Sequence, residues 1–249
     1  MTTQTATKIN GIPAITIKGG DVEMTGMQSM AEKMWAPWVV MGLMIVVISF
    51  IVGIVLSGIE ASYFENSKEA REAATRGTTT ALEQARIQSI MAWLPGFKFL
   101  GLGFMLGGIT FLLATILGNL RVAGGKIQRA LGVDQIVIKK PVTGTLFPML
   151  MMMGMMILVA TLGISIWLAT QSHDYWNHSI ALVLNPAVAG SETLRDLGVI
   201  KATGAWLAPL KFVGMAFLFS GIALALVTIV SALRFQAARL SELASLKGR

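Results

Sequence analysis

Residues 92 to 121 of the chain read AWLPGFKFLGLGFMLGGITFLLATILGNLR, and residues 205 to 234 read AWLAPLKFVGMAFLFSGIALALVTIVSALR. Aligned without gaps, fourteen of the thirty positions are identical. Shared apolar character explains several Leu and Ile matches. It does not explain three further identical pairs, which are Trp93/Trp206, Lys98/Lys211 and Arg121/Arg234. The match predicts an internal duplication of a segment long enough to cross a hydrocarbon layer of ~30 Å as one helix.

A weaker match precedes each of these two stretches. Met41-Gly42 pairs with Met153-Gly154, and Tyr63 pairs with Tyr175 at the same spacing. The repeated unit is therefore a helical hairpin, present twice from head to tail. Two copies with two spans each keep the same orientation in the membrane, so the predicted repeat is a parallel one.

Four apolar runs predict an all-α integral membrane protein with four transmembrane helices. They cover about residues 35–58, 92–120, 145–170 and 205–233. Each run exceeds the ~20 residues that a spanning helix needs, and backbone groups in lipid must be satisfied within the helix. The composition agrees, because 54% of the residues are hydrophobic and only 13% are charged, against about 25% charged in a typical soluble domain.

The spans divide the chain into three parts. These are an N-terminal segment (1–34), a first hairpin repeat (35–140), and a second hairpin repeat (141–249) that ends in an amphipathic tail. The two outer loops predict a small cap outside the membrane. The first is interrupted at Gly77 between two helical stretches. The second carries turn signals at Asn185-Pro186, Gly190, Gly198 and Gly204.

Lys and Arg in the segments that flank the spans predict the orientation. Twelve of them lie on the side that holds both termini and six on the other, so both termini should be cytoplasmic. We expect a prokaryotic plasma or inner membrane. The pI near 9.9 then reflects loops held against anionic lipid and predicts no nucleic-acid partner.

Shorter elements are predicted on the cytoplasmic side. ITIK at residues 15–18 and IVIK at residues 136–139 have the pattern of short strands that could pair with each other. Residues 121–131 and 235–246 are predicted to be amphipathic helices lying along the inner leaflet.

Small residues recur at four-residue spacing along three of the spans. Such stripes let helix backbones approach closely, within one chain or between subunits. The stripes comprise Ser49, Gly53 and Ser57 in the first span, Gly103 and Gly107 in the second, and Ala216 and Ser220 in the fourth.

Lys98 and Lys211 occupy equivalent positions just inside the second and fourth spans. A lysine within a membrane is costly and often functional, but each lies close to an interfacial tryptophan and could extend to the head groups. We therefore predict contact with lipid or with an anion at both lysines.

His173, Asp174 and His178 form the one group that resembles a metal site. Asp174 and His178 lie four apart and would share a helix face, and their donor atoms suit zinc or copper(II). Sixteen methionines, crowded in the third span, could bind copper(I), but flexible apolar packing is the commoner role of methionine.

Other kinds of chemistry find no support in the sequence. The chain has no cysteine, which excludes disulfides, thiolate metal sites and cysteine nucleophiles. No phosphate-binding glycine loop follows a strand, and no acidic residue lies within a predicted span. We expect no enzyme activity and no cofactor.

Three hypotheses for the function remain open at this point. The first is a non-catalytic structural or accessory subunit of an oligomeric membrane assembly, either a homo-oligomer or a complex with other membrane subunits. The second is a small channel or transporter lined by the repeated hairpins. The third is a membrane protein that handles copper or zinc.

Overall fold

The computed structural model describes residues 3–9, 12–18, 22–139, 141–178, 183 and 191–247. Within these ranges the chain is predominantly helical. Its elements in chain order are β1 (Thr3–Ile9), β2 (Ile12–Lys18), α1 (Gly26–Glu65), α2 (Lys68–Glu72), α3 (Thr79–Ala130), β3 (Gln135–Ile138), α4 (Thr143–Trp176) and α5 (Glu192–Lys247).

The prediction of four long apolar helices is confirmed. Helices α1, α3, α4 and α5 are each long and apolar enough to cross a membrane, and each contains one of the predicted runs. Each also contains one proline, at Pro37, Pro95, Pro148 and Pro209. Membrane helices tolerate such prolines because neighbouring groups satisfy the freed carbonyl.

The two predicted inner-leaflet helices are not separate elements, so that prediction was wrong in this respect. Residues 121–130 continue α3, and residues 235–246 continue α5 without a break. Gly124 and Gly125 lower the helix propensity of the first segment by about 1 kcal/mol each. Neither segment contains a proline, and the helical hydrogen bonds run on past the apolar run.

The first outer loop has the predicted helix–break–helix form. Helix α2 starts after Ser67, whose hydroxyl accepts the N–H of Ala70, and the chain turns at Gly77 with a φ of 83°. In the second loop, Asn185-Pro186 and Gly190 lie outside the described residues. Gly198 and Gly204 do not mark turns, because α5 begins at Glu192 and passes through both. A glycine in a helix lowers its propensity without ending it.

The predicted pairing of the two short strands is confirmed. β2 and β3 are antiparallel, with Ile15 opposite Val137 and Thr16 opposite Ile136, and β1 adds a third strand on the other side of β2. The free edge of β3 is covered by Gln128 of α3. Its amide accepts the N–H of Ile136 at 2.7 Å and donates to the carbonyl of Ile136 at 2.9 Å.

The helices and strands form two compact units, each of which takes part of all four long helices. Unit 1 comprises Met1–Val39, Met105–Met153 and Phe217–Arg249, and unit 2 comprises Val40–Phe104 and Gly154–Ala216. The core of unit 1 includes Ala31, Ala114, Phe147 and Ala225. In unit 2, the rings of Phe99 and Phe212 meet edge to face at 5.1 Å.

Close helix contacts in unit 1 depend on two glycines. A Cβ added at Gly108 would lie 2.5 Å from Cγ2 of Val39 and 3.0 Å from the carbonyl oxygen of Trp35. A Cβ added at Gly221 would lie 3.1 Å from the carbonyl oxygen of Phe147. Helix α3 therefore packs directly on the backbone of α1, and α5 on that of α4.

Candidate functional site

An open groove of about 320 Å³ lies on the surface of α1 in unit 2. Its lining comprises Ser49, Phe50, Gly53, Ile54, Ser57 and Lys98. The stripe of small residues predicted in the first span thus lies beside one of the two lysines that the sequence singled out. The groove forms because small side chains on α1 leave space between larger neighbours.

The small residues of the groove differ in how far the chain itself covers them. Ser49 is buried, and its hydroxyl donates to the carbonyl of Ile45 at 2.8 Å, as serines in apolar helices commonly do. Gly53 is different, because a Cβ built there would meet no atom within 4 Å. Ser57 is exposed. The outer half of this stripe is therefore open, with Gly53 half-buried and Ser57 exposed.

The other two small-residue stripes lie in different surroundings. Gly103 and Gly107 of α3 are buried, whereas Ala216 and Ser220 of α5 are exposed. Of the three predicted stripes, that of α3 is buried, that of α5 is exposed, and that of α1 runs from buried Ser49 to exposed Ser57.

The two repeat-equivalent lysines occupy different environments within unit 2. Lys98 is exposed along the groove, whereas Lys211 is only 5% exposed. Among the described residues, neither lysine has an ion pair with an acidic side chain. A lysine without a carboxylate partner in an apolar helix is a position at which an external anionic group would be stabilising.

The predicted metal-binding side chains lie at the end of α4 but do not converge. His173 Nδ1 is 3.7 Å from Asp174 Oδ1, while His178 Nδ1 lies 3.1 Å from the carbonyl oxygen of Tyr175. Across the described ranges, no three His, Asp or Glu side chains form a group that could hold a metal ion. Of the methionines in α4, Met151 and Met155 are buried, while Met149, Met152, Met153 and Met156 are exposed.

A second cavity, in unit 1, was not predicted from the sequence. It has a volume of about 100 Å³, and Arg121 and Arg239 are among its lining residues. In the sequence, Arg121 is distinguished only by its identity with Arg234 in the repeat, and Arg239 is one of the cationic residues on the predicted cytoplasmic side. Their places near the ends of two predicted spans were visible in the sequence, but their approach to a common cavity depends on the packing of α3 against α5.

Comparison of the chain with protein-family models, with curated proteins and with solved structures found no match. The function must therefore be inferred from the geometry of the chain itself.

Proposed function

We propose that the protein is a non-catalytic accessory subunit of a membrane assembly, held to a different subunit through helix α1. The observation that carries this proposal is the open groove along Ser49, Gly53 and Ser57, with Lys98 at its side. Small residues at this spacing allow two helix backbones to approach closely, which is the main source of contact between helices in lipid.

The limited packing of α1 supports its role as the contact helix. In the most apolar segment of α1, 17% of the residues are buried within the chain, compared with 44% in that of α3. Lipid alone can cover exposed leucine and phenylalanine side chains. A strip of glycine and serine offers lipid little apolar surface, but it allows the backbone of another helix to approach closely.

The charge of Lys98 indicates what kind of helix would occupy the groove. A helix that carries an aspartate or glutamate at the level of Lys98 would neutralise a charge that is costly in lipid. A second copy of this chain has no acidic residue within its four predicted spans. The fitting occupant is therefore a transmembrane helix of a different subunit.

We also propose that the chain forms two tandem hairpins, that its two outer loops form a cap outside the membrane, and that both termini are cytoplasmic. The duplication is supported by the contacts of Gly108 and Gly221, which are a matched pair in the sequence repeat. Gly108 faces the carbonyl of Trp35, and Gly221 faces that of Phe147, which is 112 residues further along. The channel and metal hypotheses have no comparable support, since Lys211 is not among the residues that line the groove, and no three His, Asp or Glu side chains of the described residues form a metal-binding group.

The test is a gentle extraction of the protein from its native membrane, with Gly53→Leu as the decisive variant. We expect the wild-type particle to contain at least one foreign membrane subunit in stoichiometric amount. Leucine at Gly53 should fill the groove and release that subunit, while the chain itself stays folded because no atom lies within 4 Å of the new Cβ. Mass spectrometry and size-exclusion chromatography of the particle give the readout.

The matched control is Gly163→Leu in α4, also in unit 2 and also without any atom within 4 Å of its Cβ position. It adds the same side chain to a membrane helix outside the groove, so the partner should be retained. A wild-type particle that is monomeric and alone would contradict the proposal. Equal loss of the partner in both variants would contradict the role of the groove.

A further inference from the structure

The cavity in unit 1 combines positive charge with an apolar wall. Arg121 of α3 and Arg239 of α5 are among its lining residues, and no Asp or Glu is found in that lining among the described residues. Most of the remaining lining is apolar, including Leu117, Phe235 and Leu240. A site with this composition suits a ligand that has an anionic end and a hydrocarbon part.

Arg239 is buried at this cavity and bonded to a carboxylate. It is only 9% exposed, and its Nη1 donates to Oε2 of Glu242 at 2.7 Å. Its Nε is buried and has no acceptor within the described part of the chain. A guanidinium has five N–H donors, so the bond to Glu242 leaves most of its capacity unused.

Among the described residues, Arg121 also has a buried N–H donor without an acceptor, and it lacks a carboxylate partner such as Glu242 provides for Arg239. Its Nε is also buried without an acceptor, and no described carboxylate lies within ion-pair distance of it. A buried donor without a hydrogen-bond partner is unfavourable. The cost is larger when the donor belongs to a charged group such as guanidinium. Because both arginines line the same cavity, an anionic ligand there would place acceptor oxygens beside guanidinium groups that have unused donors.

Two of the three amides that line the cavity, those of Gln128 and Gln236, donate to backbone carbonyls, while Gln28 accepts the N–H of Thr25. The three hydrogen bonds of Gln128 go to Ile136 and Gly124, and Gln236 donates to the carbonyl of Leu120. The two arginines are the charged side chains in the lining, and they are therefore the groups best suited to recognise an incoming anion. A phosphate group accepts paired N–H donors from guanidinium in the geometry that arginine offers.

We infer that this cavity binds the phosphate of an anionic phospholipid, with the start of its hydrocarbon part along the apolar wall. By the usual measure a single water needs roughly 10–15 Å³, so a cavity of about 100 Å³ has room for a phosphate group but not for a large head group. The cavity lies toward the predicted cytoplasmic ends of α3 and α5, and basic pockets between helices on that side commonly bind anionic lipids.

The experiment measures lipid bound to the full chain in detergent by native mass spectrometry. Delipidated protein is titrated with phosphatidylglycerol, with phosphatidylcholine, and with inorganic phosphate as the competitor. We expect one phosphatidylglycerol per chain, much weaker binding of phosphatidylcholine, and no displacement by millimolar phosphate. Displacement by inorganic phosphate, or equal binding of the two lipids, would overturn the assignment to an anionic lipid.

Two variants and a matched control locate the binding. Arg121→Gln and Arg239→Gln should each weaken phosphatidylglycerol binding by about tenfold, equivalent to about 1.4 kcal/mol. Arg234→Gln is the control, because Arg234 is the repeat equivalent of Arg121 but is exposed and lies outside the cavity lining. Loss of binding in the control, or its full retention in both other variants, would refute the site.

A further variant keeps the test decisive if either glutamine variant fails to fold. Arg121→Lys/Arg239→Lys preserves the charge of the cavity but removes the paired donors of guanidinium. We expect it to fold and to bind phosphatidylglycerol several-fold more weakly than the wild type. Unchanged affinity in this variant would show that guanidinium does not recognise the lipid.

Discussion

Replacing Gly108 by alanine lowers the free energy of unfolding by about 1–3 kcal/mol, the usual range for overpacking a close contact. The new Cβ would lie 2.5 Å from Cγ2 of Val39 and 3.0 Å from both the carbonyl oxygen of Trp35 and the amide nitrogen of Val39. Two of these three atoms belong to the backbone of α1, so a side-chain rotation cannot relieve the contact. Helix α3 must move away from α1. Unfolding in mixed detergent micelles measures the loss.

The repeat-equivalent glycine and an open glycine provide the comparison. Gly221→Ala should be destabilising by a smaller amount, because its Cβ would lie 3.1 Å from the carbonyl oxygen of Phe147. Gly163→Ala should be neutral or slightly stabilising, since its Cβ meets nothing within 4 Å and alanine favours the helix. Equal stability of the three variants would contradict the close packing described for α1 and α3.

Replacing Gln128 by alanine lowers the free energy of unfolding by about 2–4 kcal/mol, since each polar group left unpaired at a partly buried site costs about 1–3 kcal/mol. Gln128 is 5% exposed and binds both the N–H and the carbonyl of Ile136. Without this amide, the N–H and the carbonyl of Ile136 lose their hydrogen bonds to α3. Limited proteolysis near residues 131–141 should become faster as the strand separates from the helix.

Two variants on the same helix separate the hydrogen bonds of Gln128 from general effects. Gln128→Glu retains an acceptor for the N–H of Ile136 but turns a carboxylate oxygen toward the carbonyls of Ile136 and Gly124, so at neutral pH it should be at least as destabilising as Gln128→Ala. Lys126→Ala changes an exposed residue two positions earlier and should leave stability and proteolysis unchanged. If Gln128→Ala behaves like Lys126→Ala, the amide does not hold the sheet to α3.

The elements that the sequence predicted correctly have strong local signals. Each membrane helix follows from an apolar run, because lipid leaves the backbone no other way to satisfy its polar groups. The turn at Gly77 follows from a residue that adopts positive φ without strain. The pairing of β2 with β3 was predictable because ITIK and IVIK have the alternation and the β-branched residues of short strands.

Two predictions were wrong because the outcome depends on interactions that the local sequence does not show. Gly198 and Gly204 resemble turn residues, yet α5 continues through them because their neighbours favour a helix and nothing forces the chain to turn. The segments after Arg121 and Arg234 were predicted as separate surface helices. They remain part of α3 and α5, where contacts such as that of Gln236 with the carbonyl of Leu120 hold the two helices together.

By itself the sequence determined that the chain has four helices long and apolar enough to cross a membrane, since the free energy of placing apolar residues and backbone in lipid depends on the residues of each span alone. It also showed that Lys98 and Lys211 occupy equivalent positions of the repeat. Only the tertiary structure decided that Lys98 borders an open groove while Lys211 is buried, and that Arg121 and Arg239 line one cavity. Burial and the sharing of a cavity depend on which helix faces meet, and the residues that meet lie far apart in the sequence, as Ser57 and Lys98 or Arg121 and Arg239 do.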